Sequence, residues 1–156
     1  MTRLAVECLV RLDHRGAKTA DGTGDGAGLL TQIPRRLLSR HLAGIGVFTP
    51  DRIGVVMAFL PAHDPGVGEK LVTDALEREG IPFLAWRSVP NDPETLSRRA
   101  RSLMPVIRQA LVAIPPDLDS DECERRLLLA RKRMERQGEG AGILLDSQRL
   151  SPHRGL

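Results

Sequence analysis

From residue 52 onward, apolar runs and amphipathic stretches alternate, each ended by proline or glycine, and this rhythm restricts the possible folds more than any other feature of the chain. Residues 54–60 are a dense apolar run closed by Pro61, which predicts a buried strand. Residues 68–79 place Leu71, Val72, Ala75 and Leu76 on one helical face and stop at Gly80. A second strand is predicted over 82–89. Asp92-Pro93 then reads as an N-cap followed by proline at the first helical position, opening a short helix with Leu96, Ala100 and Leu103 inward. A third strand is predicted over 106–114, ended by Pro115-Pro116. Asp119 and Glu122 have capping-box spacing before a helix whose stripe is Cys123, Leu127, Ala130 and Met134. Residues 141–149 read as a last strand. The order β-α-β-(short α)-β-α-β predicts the α+β class: a split βαβ arrangement from about residue 52, with helices on one face of a mostly antiparallel sheet.

The first third is organised differently. Leu4, Ala5, Cys8, Leu9 and Leu12 share a helical face, and Gly16, preceded by His14 and Arg15, is the stop signal. Residues 18–28 contain Gly22, Gly24, Gly26 and Gly28 with Asp21 and Asp25, a composition that suits a shaped loop. A short strand is predicted over 29–33, ended by Pro34, and a short basic helix over 35–41. With 156 residues in all, one domain over 1–150 and a short tail at 151–156 are expected.

Composition removes several function classes. Apolar residues are 41% and charged residues 28%, as in folded globular chains. No apolar run reaches the ~18 residues of a membrane span, and the first residues lack the apolar core of a signal peptide. Two cysteines, Cys8 and Cys123, suit a reducing compartment, so a cytoplasmic location and no membrane partner are expected. There is no Tyr and aromatics are 3%, which argues against stacking platforms for single-stranded nucleic acid. The 23 basic and 20 acidic side chains are interspersed, a mixed solvated surface rather than a nucleic-acid footprint.

Candidate chemistry is sparse. Asp21, Thr23, Asp25 and Gly26 match the early positions of a calcium loop, but its twelfth position is Gln32 instead of a bidentate Glu. The same glycines suit a phosphate poorly, because Asp25 opposes the anion and no Gly-Lys-Ser/Thr follows. His14, His41, His63 and His153 lack ligand spacing, so no metal and no cofactor are expected. No serine sits in a nucleophile elbow. Cys8 lies in its helix's apolar stripe and reads as a core cysteine. Arg125, Arg126, Arg131, Lys132, Arg133 and Arg136 wrap around one helix, which predicts a solvated face or a subunit contact.

Two glycine-bearing motifs carry a family resemblance. They are Leu9-Val10-Arg11-Leu12-Asp13-His14-Arg15-Gly16-Ala17 and Thr23-Gly24-Asp25-Gly26-Ala27-Gly28-Leu29-Leu30-Thr31-Gln32-Ile33-Pro34. Together they resemble the N-terminal class II glutamine amidotransferase domain of the glutamate synthase large subunit. Residues 54–61, Trp86-Arg87-Ser88-Val89-Pro90, Met104-Pro105 with Ile107, and the stretch from Glu124 to Arg133 keep step with it, and 143–156 is similar in outline.

The resemblance implies a layered sandwich of the N-terminal-nucleophile kind and a glutaminase half-reaction. In that reaction an N-terminal Cys, assisted by its own α-amino group, attacks the glutamine amide while Asn and Gly form an oxyanion hole. No N-terminal Cys is present to carry that role. The sole Asn, Asn91, falls in a turn, and the family's Asn-Gly segment has no match, so no catalytic residue is assigned. Thr2, which would become N-terminal on removal of Met1, matches a position beyond the family's nucleophile strand. Arg149 matches the family Arg that pairs with the glutamine carboxylate, although Asp146-Ser147-Gln148 departs from the motif before it; a structural Arg is an equal reading. His14, Arg15, Gly16, Gly24, Asp25, Gly26 and Gly28 form the shaped loop.

The expected role is a non-catalytic glutamate-synthase-type module that assembles with synthase subunits or binds glutamine or a related amino acid. The alternatives are a fragment that completes an active site in trans and a self-associating module. A homo-oligomer is expected, because a sheet lacking its nucleophile strand exposes an edge.

Overall fold

A computed structural model describes residues 2–11, 28, 29 and 31–138. The chain divides into two compact units, Met1–Gln32 with Asn91–Met104, and Ile33–Pro90 with Pro105–Leu156. The predicted turn at Gly16, most of the loop over 18–28, the last strand over 141–149 and the tail lie outside the described residues.

The larger unit is a three-stranded antiparallel sheet with helices on both faces. Its elements are α2 (Arg35–Gly44), β1 (Ile53–Leu60), α3 (Pro65–Arg78), β2 (Phe83–Ser88), β3 (Val106–Ala113) and α5 (Ser120–Gly138). The strand order is β1-β3-β2, and β3 runs antiparallel to both neighbours. Strands β1 and β2 are therefore parallel to each other, joined by α3, with β3 inserted between them. This is the split βαβ arrangement, and the mixed helix and antiparallel sheet is that of the α+β class.

Alternation along the strands sorts their side chains onto two faces. Val56, Ala58 and Leu60 of β1 and Ala110 and Val112 of β3 pack against Val72, Ala75 and Leu76 of α3 and Cys123, Leu127, Ala130 and Met134 of α5. The opposite face carries Ile53, Ala85 and Leu111, covered by Leu38 and Leu42 of α2. The expectation of helices on one face is corrected here: the basic helix after Pro34 has an i,i+4 leucine pair that seals the second face. Gly54 makes room on the first face. A Cβ there would lie 2.8 Å from Val112 Cγ2 and 3.1 Å from Ile114 Cδ1.

Helix ends follow local chemistry. Asp64 accepts a hydrogen bond from Val67 N–H (3.4 Å) and Pro65 occupies the first turn, so α3 begins three residues before the expected residue 68. Helices α2 and α3 end alike. Val47 N–H reaches Leu42 C=O (2.8 Å) and Ile81 N–H reaches Leu76 C=O (3.0 Å), with Gly46 (φ 74°) and Gly80 (φ 68°) in the left-handed conformation that this C-cap requires. Before α5, Asp119 accepts from Glu122 N–H at 2.8 Å.

Arginines secure the connections of this unit. Arg52 donates to Pro115 C=O (3.1 Å) and Leu118 C=O (2.7 Å), tying the start of β1 to the segment after β3. Arg35 donates to Pro50 C=O (2.9 Å) and to Asp51 C=O, fixing α2 to the approach to β1.

The smaller unit holds α1 (Thr2–Arg11), a 3-10 turn (Pro93–Thr95) and α4 (Arg98–Ser102). The single helix expected after Asp92 is two pieces. Asp92 caps only the 3-10 turn, Leu96 is extended (φ −88°, ψ 147°), and Ser97 caps α4 by accepting from Ala100 N–H at 3.2 Å. Leu96 and Leu103 are exposed rather than inward. The strand expected over 29–33 is also absent among the described residues. Positions 28, 29 and 31–34 have no ladder partner, and an apolar run without one remains irregular.

Candidate functional site

Of the residues singled out from sequence, His14, Arg15, Gly16, Gly24, Asp25, Gly26 and Arg149 lie outside the described residues. Gly28 is exposed, and a Cβ there would meet nothing within 4 Å, so crowding does not explain a glycine at that position. Cys8 is exposed on α1, which corrects its reading as a core cysteine. The stripe it belongs to is incompletely covered: Leu4 is exposed, and Ala5 and Leu9 are half-buried.

Cys123 is buried beneath the sheet, and burial pushes its thiol pKa up, away from the thiolate that a nucleophile needs. Both cysteines are internal to helices, so neither has a free α-amino group to act as its base. No group of three or more His, Cys, Asp and Glu side chains that could hold a metal ion occurs among the described residues.

The Trp86-Arg87-Ser88 segment forms the end of β2 and sends successive side chains to opposite faces. Trp86 packs on the α3/α5 side, its ring 5.6 Å from Phe83 at a 49° tilt. Arg87 stands opposite Gln109 and donates to its Oε1 at 2.7 Å; Met57 of β1 pairs with Gln109 from the other side. A polar pair thus spans β2 and β3, flanked by Met57 on β1, where the apolar cover of α2 ends. Ser88 accepts from Arg108 (3.0 Å), whose Nε lies 3.0 Å from Glu69 of α3. An Arg held on an amide can orient that amide but cannot attack a carbonyl, so this pair supplies positioning and no nucleophile.

The densest charge lies along α5. Glu122 accepts from Arg125 (2.7 Å) and Arg126 (2.7 Å), and these two hydrogen bonds, Arg125's first, hold its carboxyl pKa down at about 2. Glu135 is likewise held below the usual carboxylate range, by Lys132 first and Arg131 second. Arg133 reaches across to Glu79 at 2.5 Å, and Arg126 to Glu79 C=O at 3.4 Å, so α5 is clamped to the end of α3. The sequence reading of these basic residues as a solvated face or subunit contact omitted this clamp, which only the packing of α3 on α5 brings together. A shallow recess of about 280 Å³ lies beside Leu129, Lys132, Arg133, Arg136 and Gln137. No described helix is long and apolar enough to cross a membrane.

Comparison with known proteins gives these elements a family. A profile of the class II glutamine amidotransferases matches residues 1–147. The chain is 39% identical over 137 residues to the chloroplastic ferredoxin-dependent glutamate synthase of Spinacia oleracea, covering 85% of this chain and 8% of that protein. It is 38% identical over 132 residues to ferredoxin-dependent glutamate synthase 2 of Synechocystis sp., covering 81% and 8%. It is 33% identical over 147 residues to the glutamate synthase [NADPH] large chain of Bacillus subtilis, covering 92% and 10%. The chain therefore spans about a tenth or less of the length of these relatives, which are much larger synthase chains. Both the profile match and the relatives show that the chain belongs to the class II glutamine amidotransferases, of the kind that forms the N-terminal domain of glutamate synthases.

Proposed function

We propose that residues 1–150 form one amidotransferase-type domain of glutamine and glutamate metabolism, layered as in the N-terminal-nucleophile fold, whose described elements supply framework rather than glutaminase chemistry. Its role is that of a subunit or ligand-binding module: it assembles with glutamate synthase polypeptides or a second copy of itself and offers a site for glutamine or a related amino acid. The observation that carries this reading is the family match over residues 1–147, combined with two internal cysteines that lack the free α-amino group on which the family's nucleophile depends.

Arg149 is the candidate partner for a ligand carboxylate, and the segment around His14–Gly16 and Gly24–Gly28 is the candidate loop. The reading assigns the protein a cytoplasmic, non-catalytic role in nitrogen metabolism.

The test is ammonia and glutamate release from glutamine by the purified 156-residue chain. No turnover is expected, together with a glutamine-dependent rise in thermal midpoint that Arg149→Ala removes. Turnover by the chain alone that one substitution within it abolishes would sink the proposal. Turnover that appears only on mixing with a synthase large chain whose own nucleophile has been removed would favour completion of an active site in trans.

A further inference from the structure

Helix α5 has two faces of different character. Cys123, Leu127, Ala130 and Met134 are buried under the sheet. On the far side, Asp121, Arg125, Leu128, Leu129, Lys132 and Arg136 recur at steps of one, three and four residues, and all six are exposed. At 100° per residue these positions cluster opposite the buried stripe. Leu128 is 51% exposed and Leu129 is 37% exposed at the middle of this outer face. An exposed leucine pair midway along a charged helix face is where a partner helix would gain apolar burial.

The charges around those leucines are arranged about a centre. If two copies of α5 lie antiparallel with a twofold axis between Leu128 and Leu129, each Leu128 meets its own mate on one flank of the axis and each Leu129 its own on the other, while Asp121 lies level with Arg136 of the second copy, a contact the symmetry repeats. Asp121 and Arg136 have no ion-pair partner among the described residues, so both are available.

The same operation sets Arg125 near Lys132 of the second copy. Each is already paired within its own helix, Arg125 with Glu122 at 2.7 Å and Lys132 with Glu135 at 2.9 Å, so the like charges are locally neutralised. Their aliphatic stems then cover the leucines while the charged ends stay in water. The recess beside Leu129 gives Leu129 of the second copy, which lies on the same flank, a depression to enter. An acidic peptide or an anionic membrane fits less well, because Glu122 and Glu135 have consumed two of the three cations and Asp121 repels it.

We propose that the outer face of α5 is a homodimer interface in which two copies pair antiparallel about Leu128 and Leu129, with Asp121 of each bonded to Arg136 of the other. This deepens the self-association named above and rests on that part of the reading alone, not on the glutaminase assignment. One helix pair is a small contact, so the dimer belongs to the weak, transient class.

Sedimentation equilibrium of the 156-residue chain from about 1 to about 500 μM is the test, because that range brackets micromolar association. The parent chain should show a monomer–dimer equilibrium. Asp121→Arg and Arg136→Asp should each weaken it by about tenfold or more, since each creates two like-charge contacts. An equimolar mixture of the two variants should recover dimer, as a heterodimer with both pairs restored. Leu128→Asp should abolish association. All three positions are exposed, so thermal midpoints at concentrations where the parent is monomeric should stay close to the parent value, which separates loss of pairing from loss of fold.

A parent chain that is monomeric throughout overturns both this interface and self-association. A dimer indifferent to the substitutions overturns the interface and leaves self-association standing. Failure of the mixture to recover dimer overturns the antiparallel register. Sedimentation of monomer with phosphatidylserine vesicles, or its capture by a polyglutamate peptide, without any dimer, would assign the face to an anionic surface instead.

Discussion

The two faces of the sheet are sealed by unequal means. On one, α3 and α5 bring fifteen buried residues into a single cluster; on the other, one ten-residue helix, α2, closes a cluster of five. The first face continues the cover along every strand, whereas on the second the cover ends at the Arg87–Gln109 pair. The difference teaches that the first face holds the fold together, while the second is left partly polar and half-buried.

If the comparison holds, substitutions should grade by face. Leu127→Ala, deep under the sheet, should cost about 3–5 kcal/mol in a urea titration, because a rigid two-helix cover cannot collapse onto the void. Leu42→Ala should fall lower, at about 2–3 kcal/mol, because α2 is short and can settle inward. Equal losses would break the comparison. Gly54→Ala probes the tightness of the first face and should cost about 1–3 kcal/mol by overpacking against Val112 and Ile114; a neutral result would mean that this face yields as easily as the other. Asp119→Ala, which removes the cap of α5, should cost about 1 kcal/mol, read as a lower thermal midpoint.

The smallest effect is electrostatic. The Glu122 carboxyl has a pKa of about 2 in the fold against 4.5 ordinarily, so between those values the unfolded chain binds more protons. The stabilisation is complete above about pH 4.5 and is lost as pH falls toward 2. Urea midpoints of the parent and Glu122→Gln chains should differ at pH 7 and converge near pH 2; a constant difference would remove the Arg125 and Arg126 bonds as its source.

Much of the first face was legible from residue order, because its elements have clean periods. The runs at 54–60 and 106–114 and the stripe of Cys123, Leu127, Ala130 and Met134 each admit one reading. The second face was less legible. Leu38 and Leu42 lie among arginines in a short segment, and a basic helix does not announce which surface it covers. The run at 29–33 reads as a strand by composition, but strandedness needs a partner that no local pattern supplies. Asp64-Pro65 carries the same start signal as Asp92-Pro93 and was the better helix start of the two.

Site chemistry was legible mainly through the family motifs, which hold chain order but not geometry. Cys8 shows the gap: its spacing defines a face, and only tertiary contacts decide whether that face is covered.

The order β1-β3-β2 also has a consequence for how the chain acquires its shape. Its central strand is the last of the three to be made, and pairs such as Ile53 with Ala113 and Leu60 with Val106 join residues far apart in sequence. Until residues 106–113 are available, β1 and β2 have no described strand to pair with, and local helix formation alone cannot commit them. Sheet formation in this unit is then one late, concerted event, slowed by loop closure, and a nascent chain stopped before residue 106 would present two unpaired apolar strands to chaperones and to other nascent chains.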